Sequence, residues 1–287
     1  MAERLDGKTA LITGATDGIG FVTARELAAR GARVILVGRN EQKGRACLDA
    51  INKITESADL SFVRADLSQM AEIVRFTGEI AQSEQSLDIL VNNAGGIFAS
   101  RMESADGIEM TFALNHINYF LTTLRLLDLL RAAPAARIVN VASRAHVGGR
   151  MDFDDLEFRK TYSARKAYQR SKLCNVLFTR ALARRLEGST ITTNSLHPGF
   201  VRTAFGGAGN PFYFRWGVKA LMMAYGISVE KGAETSIYLA SSPDVADVSG
   251  WYFVDCKDTA PSKAAMDDAA GERLWRLSEE MVRGSLA

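Results

Sequence analysis

The stretch "TALITGATDGIGFVTARELAARGARVILVGRN", residues 9 to 40, decides the fold. It opens with a short apolar run at 9–13, turns through the glycine-rich "TGATDGIG" at 13–20, and ends in a second apolar run, "RVILVG", at 33–38. Between the two runs, Ile19, Val22, Ala24, Leu27 and Ala28 fall mostly on one side of a helix, and Gly31 is a natural left-handed stop. A strand, a glycine turn, a helix and a second strand make a βαβ unit, whose two strands run parallel.

The same alternation continues outward. Further strands are expected at "LSFVRA" (60–65), "DILVNNA" (88–94), "RIVNVAS" (137–143), "TITTNSLHPG" (190–199) and "WYFVD" (251–255), with helical patterns between them. Runs as continuously apolar as "VILV" belong to a sheet covered on both faces. The expectation is an α/β, Rossmann-type doubly wound parallel sheet with helices on both faces. No repeat, low-complexity segment or Pro/Gly/Ser-rich linker divides the 287 residues, so one domain over 1–287 is expected.

Composition narrows the function. Hydrophobic residues make up 47% of the chain, and 35 basic residues against 33 acidic give a net charge of +2 with no long basic run, which points to small-molecule chemistry and away from nucleic acid. Cys47, Cys174 and Cys256 fit neither a disulfide framework nor a metal-ligand spacing and read as buried thiols in a reducing cytosol. His116, His146 and His197 are scattered without paired carboxylates, so no metal site is expected. "MAERLDGK" is polar and the "TALIT" after it is too short for a signal or a span; a cytoplasmic protein is expected.

In the glycine loop, Gly14, Gly18 and Gly20 permit the tight turn, admit a pyrophosphate close to the backbone and let the helix pack on the strand. Thr16, Asp17 and Ile19 complete the loop, and the helix N-terminus offers its unpaired N–H groups to the phosphates. The second strand ends "LVGRN", with Gly38 and Arg39 where an acid would bind a ribose hydroxyl. A guanidinium there attracts a 2′-phosphate, so NADP(H) is favoured over NAD(H), although Asp17 nearby weakens the attraction. A solvated loop arginine is the alternative.

Tyr-x-x-x-Lys occurs twice in "TYSARKAYQRSKLCN", residues 161 to 175, as Tyr162 with Lys166 and Tyr168 with Lys172. Residues four apart share a helix face, so either pair could bring an ammonium beside a phenol. The two lysines, six residues apart, lie about 240° apart around a helix and cannot share one task.

Four separated signatures together resemble the short-chain dehydrogenase/reductase family: "TGATDGIG" at 13–20, "NNAG" at 92–95, Ser143 at the end of the fifth strand, and "YQRSK" at 168–172. "RELAARGARVILVGR", "AYQRSKLCNVLFTRALARRL", "NSLHPGFVRT" and the tail "YFVDCKDTAPS" with "RLWRLSEEMV" bring it nearest to the retinol dehydrogenase-like branch. The resemblance implies Tyr168 as general acid or base, Lys172 holding the nicotinamide ribose, Ser143 donating to the substrate oxygen, and Asn115 beside the lysine. It further implies cofactor contacts at Asp66, Leu67, Asn92, Ala94, Gly95, Pro198, Gly199, Val201 and Thr203, and a dimer or tetramer. Tyr162 and Lys166 then read as a solvated helix entrance, with Lys166, Gln169 and Arg170 beginning a charged flank. An ammonium about 4 Å from the phenol, at an effective dielectric of about 20, contributes roughly 4 kcal/mol and would lower the tyrosine pKa by about three units.

Two segments are expected to choose the substrate: the insertion between Ser143 and Tyr168, and a lid at about 204–228, in which Phe212, Trp216, Met222 and Met223 suit an apolar alcohol or carbonyl compound. Contact of that lid with a membrane surface through Arg215 and Lys219 is the less favoured reading. Competing functions are reduction of a conjugated C=C bond and a cofactor-binding sensor or scaffold without turnover.

Overall fold

A computed structural model describes residues 3–55, 59–202 and 210–286; side chains at 218, 219, 221, 222, 224 and 225 lie outside the description. One eight-stranded sheet has the order β3-β2-β1-β4-β5-β6-β7-β8. Its strands are β1 (Thr9–Thr13), β2 (Arg33–Gly38), β3 (Leu60–Arg64), β4 (Ile89–Asn92), β5 (Ala136–Val141), β6 (Ile191–His197), β7 (Tyr252–Val254) and β8 (Lys257–Asp258). All neighbours are parallel except β7 and β8. The Rossmann-type fold is therefore as expected.

Alternation along the strands feeds two cores. Ala10 and Ile12 of β1 point to one face, where they meet Leu27 of α1 (Gly18–Ala29), Ile51 of α2 (Glu41–Asn52) and Leu239 of α9 (Val229–Ser241). Leu11 points to the other, toward Phe76 of α3 (Met70–Ser83), Leu177 of α7 (Ala164–Arg185) and Leu274 of α10 (Asp268–Val282). There Trp275 meets Phe120 edge-on at 4.9 Å and stacks on Phe178 at 5.9 Å, tying the C-terminal helix to the body. Removing so large a buried ring costs about 3–5 kcal/mol.

The helix after β4 is broken in register. It begins as α4 (Met110–Phe112), loosens into a π-helical turn at Ala113–Ile117 and resumes as α5 (Asn118–Arg125), followed by α6 (Leu127–Ala132). Such bulges re-aim one residue, here Asn115. Helix α8 (Phe212–Tyr225) follows the segment after β6.

Several expectations need correction. The strands β4 and β5 stop at Asn92 and Val141, so Gly95 and Ser143 lie beyond the sheet. The short β8 was not foreseen because its hairpin turn is made by Asp255 and Cys256, at φ 50° and 60°, and not by glycine. Tyr162 precedes α7, whose N-cap is Ser163, so the first Tyr-x-x-x-Lys pair does not share a helix. Arg170 is buried, not part of a charged flank: its guanidinium lies 3.8 Å from the Phe158 ring centroid and donates to the carbonyls of Arg150, Asp155 and Leu156, pinning the insertion.

Candidate active site

The chain reverses direction across the sheet between β1 and β4, and a crevice opens beyond the carboxyl ends of the strands at such a point. The glycine loop after β1 and the "NNAG" segment after β4 meet here. Gly14 has φ 65°, and a Cβ there would stand 2.9 Å from the Cα of Ala94; one on Gly20 would stand 2.4 Å from the carbonyl oxygen of Gly14. Side chains at either place would push the loop out of its path. The helix it leads into is uncapped, since Asp17 at the N-cap makes no side-chain hydrogen bond to it and no acid lies in the first turn. Its N–H groups and positive dipole end therefore face the crevice, which suits a pyrophosphate.

Asn93 holds this arrangement together. Its Nδ2 donates to the carbonyl oxygens of Thr13 and Gly14 at 2.9 and 3.2 Å, while its own N–H donates to Thr13 Oγ1 at 2.9 Å. Asn92, beside it, is the residue that the resemblance implies as a cofactor contact. That side chain lies in the core, donating to Thr123 Oγ1 and Asn140 Oδ1 at 2.9 Å each, so its work is to pack the sheet. The signal for Asn93 was its place beside the loop glycines in "NNAG".

Arg39 is exposed just past β2, and Asp66 and Leu67 follow β3, with Asp66 Oδ1 accepting from Ser68. Lys43 of α2 was missed. Its Nζ stands 3.4 Å from Asp17 Oδ2, so the acid expected to oppose a phosphate has a cation beside it. Pro198, Gly199 and Val201 follow β6; Gly199 has φ 90°, and Val201 bridges to Ile227 as the chain returns from α8. Thr203 and lid residues 204–209 lie outside the described residues.

On the other side of the crevice stand Ser143, Tyr168 and Lys172. Ser143 caps a turn at Arg144–Gly148, its Oγ accepting from the N–H of Ala145 at 3.1 Å, and it shares a side-chain hydrogen bond with Tyr168. Lys172 is buried at 3% exposure, and its Nζ donates to the carbonyl of Val141 at 2.8 Å. The π turn aims Asn115 toward the same place: its Nδ2 donates to Gly96 O and Ser171 Oγ, and its Oδ1 accepts from the N–H of Gly96 at 2.7 Å. A Cβ on Gly95 would stand 3.0 Å from Asn115 Oδ1 and 3.6 Å from Lys172 Nζ, so this glycine keeps the space above the lysine open.

Burial sets the electrostatics. It pushes the Tyr168 phenol up to about 12, partly offset by the Ser143 hydrogen bond, and pulls Lys172 down to about 7. The depressed tyrosine pKa expected from the lysine is not what the chain alone displays, because the lysine is desolvated and its ammonium is 5.9 Å from the phenol ring centroid. Tyr162 is half-buried and not solvated; it donates to the carbonyl of Phe98 at 2.9 Å beside the buried Glu109, which caps α4 through the N–H groups of Thr111 and Phe112. Lys166 is exposed.

The expected lid gives a mixed result. Phe212, Trp216 and Met223 are 72%, 62% and 62% exposed, and the side chains of Lys219 and Met222 lie outside the described residues. Among the described residues no helix is long and apolar enough to cross a membrane and no cluster of three or more His, Cys, Asp or Glu could hold a metal, while all three cysteines are free.

Comparison with known proteins agrees with the geometry. The model of the short chain dehydrogenase family matches residues 8–211. Retinol dehydrogenase 14 of Homo sapiens is 41% identical, with 97% of this chain and 87% of that protein covered, and Homo sapiens retinol dehydrogenase 12 is 40% identical at the same coverage. Among solved structures, an uncharacterized protein from Mycobacterium Paratuberculosis superposes with TM-score 0.79 at 30% identity, covering 98% of this chain and 96% of that one. A short chain dehydrogenase from Burkholderia cenocepacia J2315 in complex with NADP superposes at TM-score 0.69 and 25% identity, covering 88% and 97%. A glycine loop at the switch point, a Ser143–Tyr168 hydrogen bond and a buried Lys172, in a chain so similar to these proteins, lead to one assignment: the chain belongs to the short-chain dehydrogenase/reductase family, in its retinol dehydrogenase-like branch.

Proposed function

We propose that this chain is an NADP(H)-dependent oxidoreductase that interconverts an apolar alcohol and its aldehyde or ketone, with Tyr168 moving the proton. The observation that carries the proposal is the Ser143–Tyr168 hydrogen bond beside buried Lys172, across the crevice from an uncapped helix N-terminus. The glycine cradle and that N-terminus fit a dinucleotide. When bound, its nicotinamide gives or takes the hydride.

The chain's own residues do the rest. Held near 12, Tyr168 is protonated at neutral pH and can give its proton to a substrate oxygen as negative charge builds there. Ser143 Oγ accepts from Ala145 N–H and shares a hydrogen bond with Tyr168, so its hydroxyl can turn its proton to the same oxygen once a substrate is bound. Lys172 and Asn115 flank the space above Gly95, where a ribose can be held. Arg39 supplies the cation for a 2′-phosphate, and Lys43 offsets the charge of Asp17.

An apolar substrate is favoured by Ile227 and Val201 at the base of the α8 excursion and by the resemblance to retinol dehydrogenases. The lid assignment for about 204–228, the single domain, a dimer or tetramer and a cytoplasmic location belong to the same reading. The deciding experiment is NADPH oxidation with a series of aliphatic aldehydes. kcat/KM rises with chain length until the pocket is full, by at most about fourfold per methylene at about 0.8 kcal/mol each. No turnover with any aldehyde or ketone, or no dependence on length, overturns it.

A further inference from the structure

His146 has no part in the chemistry above, yet it is buried at 1% exposure, three residues after Ser143. Both ring nitrogens are engaged. Nε2 lies 3.0 Å from the backbone N of Ser262, which can only donate, so Nε2 is the acceptor. In the neutral ring the proton is then on Nδ1, which stands 2.7 Å from the carbonyl oxygen of Ser143 and donates to it. That carbonyl also accepts from the N–H of His146 itself at 3.1 Å. The imidazole is clamped edge-on against Tyr252 of β7 at 4.8 Å, and so has little freedom to turn.

We propose that His146 is a positioning residue through which the C-terminal segment at Ser262 fixes the backbone, and so the hydroxyl, of Ser143. Ser143 needs such a hold. It lies beyond the end of β5, with no strand partner of its own, and its Oγ must point at once to Ala145 N–H, Tyr168 and a substrate oxygen. Ser262 is a firm anchor because it caps the turn at Lys263–Met266, accepting from Ala265 N at 3.3 Å. That turn packs against α7, the helix that carries Tyr168 and Lys172. A segment remote in sequence from the reacting groups thus reaches them through one neutral ring, and a donor misplaced by a fraction of an ångström costs rate more than binding.

The inference rests on the oxidoreductase reading, and a paired substitution at Ser262 tests it. Ser262 has φ −62°, which already suits proline, so Ser262→Pro removes the N–H with little backbone strain, whereas Ser262→Ala loses the same side chain and keeps the N–H. Ser262→Pro is expected to fall about 10-fold or more below Ser262→Ala in kcat, with the Kd for NADPH the same in both. His146→Ala is expected to lose kcat similarly, and His146→Asn, whose amide can still donate to the Ser143 carbonyl, to recover most of it. Combining His146→Ala with Ser262→Pro should cost no more than either alone, because both break one chain of contacts. Equal kcat for Ser262→Pro and Ser262→Ala overturns the inference, as does a His146→Ala defect that His146→Asn fails to relieve. Histidine-selective NMR gives a reading without turnover: wild type should show the Nδ1–H tautomer at His146, and an Nε2–H tautomer refutes the linkage. A wild type with that tautomer but no activity would fail the oxidoreductase reading alone.

Discussion

The ammonium of Lys172 donates to the carbonyl oxygen of Val141 at 2.8 Å, which ties the lysine to the end of β5. With burial drawing it to about 7 and Tyr168 pushed to about 12, the phenol keeps its proton at neutral pH. Reduction uses that protonated form, and oxidation needs the deprotonated one. kcat/KM for alcohol oxidation should therefore climb by about tenfold per pH unit through the neutral and mildly alkaline range, while carbonyl reduction changes far less there. Equal pH profiles in the two directions would count against Tyr168 as the proton carrier.

The two tyrosines should separate cleanly. Tyr168→Phe removes the transferable proton, so turnover should fall by a factor of about 10² to 10⁴ with cofactor affinity held within a few-fold. Tyr162→Phe loses the hydrogen bond to Phe98 O and should cost about 0.5–1.5 kcal/mol of stability while remaining active. Steady-state kinetics and urea unfolding of both variants check this, and comparable loss of turnover from both sinks the assignment.

Cofactor choice should follow charge at the end of β2. NADPH is expected to bind more tightly than NADH, and Arg39→Ala should erode the difference by about 1–3 kcal/mol as a charge-assisted contact is lost. Lys43→Ala should erode it further by exposing the charge of Asp17, 3.4 Å from Lys43 Nζ, to the phosphate. Fluorescence titrations with both cofactors measure each step. A wild type that prefers NADH refutes the scheme.

What could be read from sequence was what local pattern encodes. The seven main strands follow from apolar runs bounded by turns, and the crevice follows from glycines where backbone must meet backbone, as Gly14 meets Ala94. What could not be read depends on contacts between distant segments. Asn93 stands nearer the glycines of "NNAG", but which asparagine holds the glycine loop and which packs the sheet is decided by where β4 stops, at Asn92. Arg170 looked like a solvated cation until the insertion folded over it. The π turn that aims Asn115 leaves no signature in "FALNHINYF", and the tyrosine pKa depends on desolvation, which spacing does not report.

Asn93→Ala should weaken cofactor binding without touching the reacting groups. The variant leaves the carbonyls of Thr13 and Gly14 without their donor and frees the loop to move. Losing two such bonds at about 0.5–1.5 kcal/mol each predicts about a 5- to 150-fold rise in the NADPH Kd, with kcat at saturating cofactor much less affected. A Kd unchanged by calorimetry means the loop is held by something else.

Acid stability should report the buried histidines, His116 above all. It is fully buried among Phe112, Phe120 and Phe178, and its Nε2 lies 2.8 Å from the Oγ of Ser278. Because that hydroxyl donates to the carbonyl of Leu274 at 2.9 Å, Nε2 must be the donor and Nδ1 carries no proton. Nδ1 has no hydrogen-bond partner, so protonation would place an N–H and a positive charge in an aromatic cage, and burial accordingly holds the pKa at about 3. His197 is likewise lowered to about 4 by burial, aided by the charge of Arg144. Between the ordinary value near 6.5 and these depressed values the unfolded chain takes up protons that the folded chain refuses. Folding stability is therefore fully present above about pH 6.5 and is lost as the pH falls toward 4 and then 3, by about 1.4 kcal/mol per pH unit for each such histidine. His116→Gln, whose amide can still donate to Ser278, should lessen that slope by about one proton, as read by urea unfolding between pH 7 and pH 4.5. An acid limb unchanged in the variant would mean that His116 is protonated in the folded protein, and that the aromatic cage does not exclude its charge.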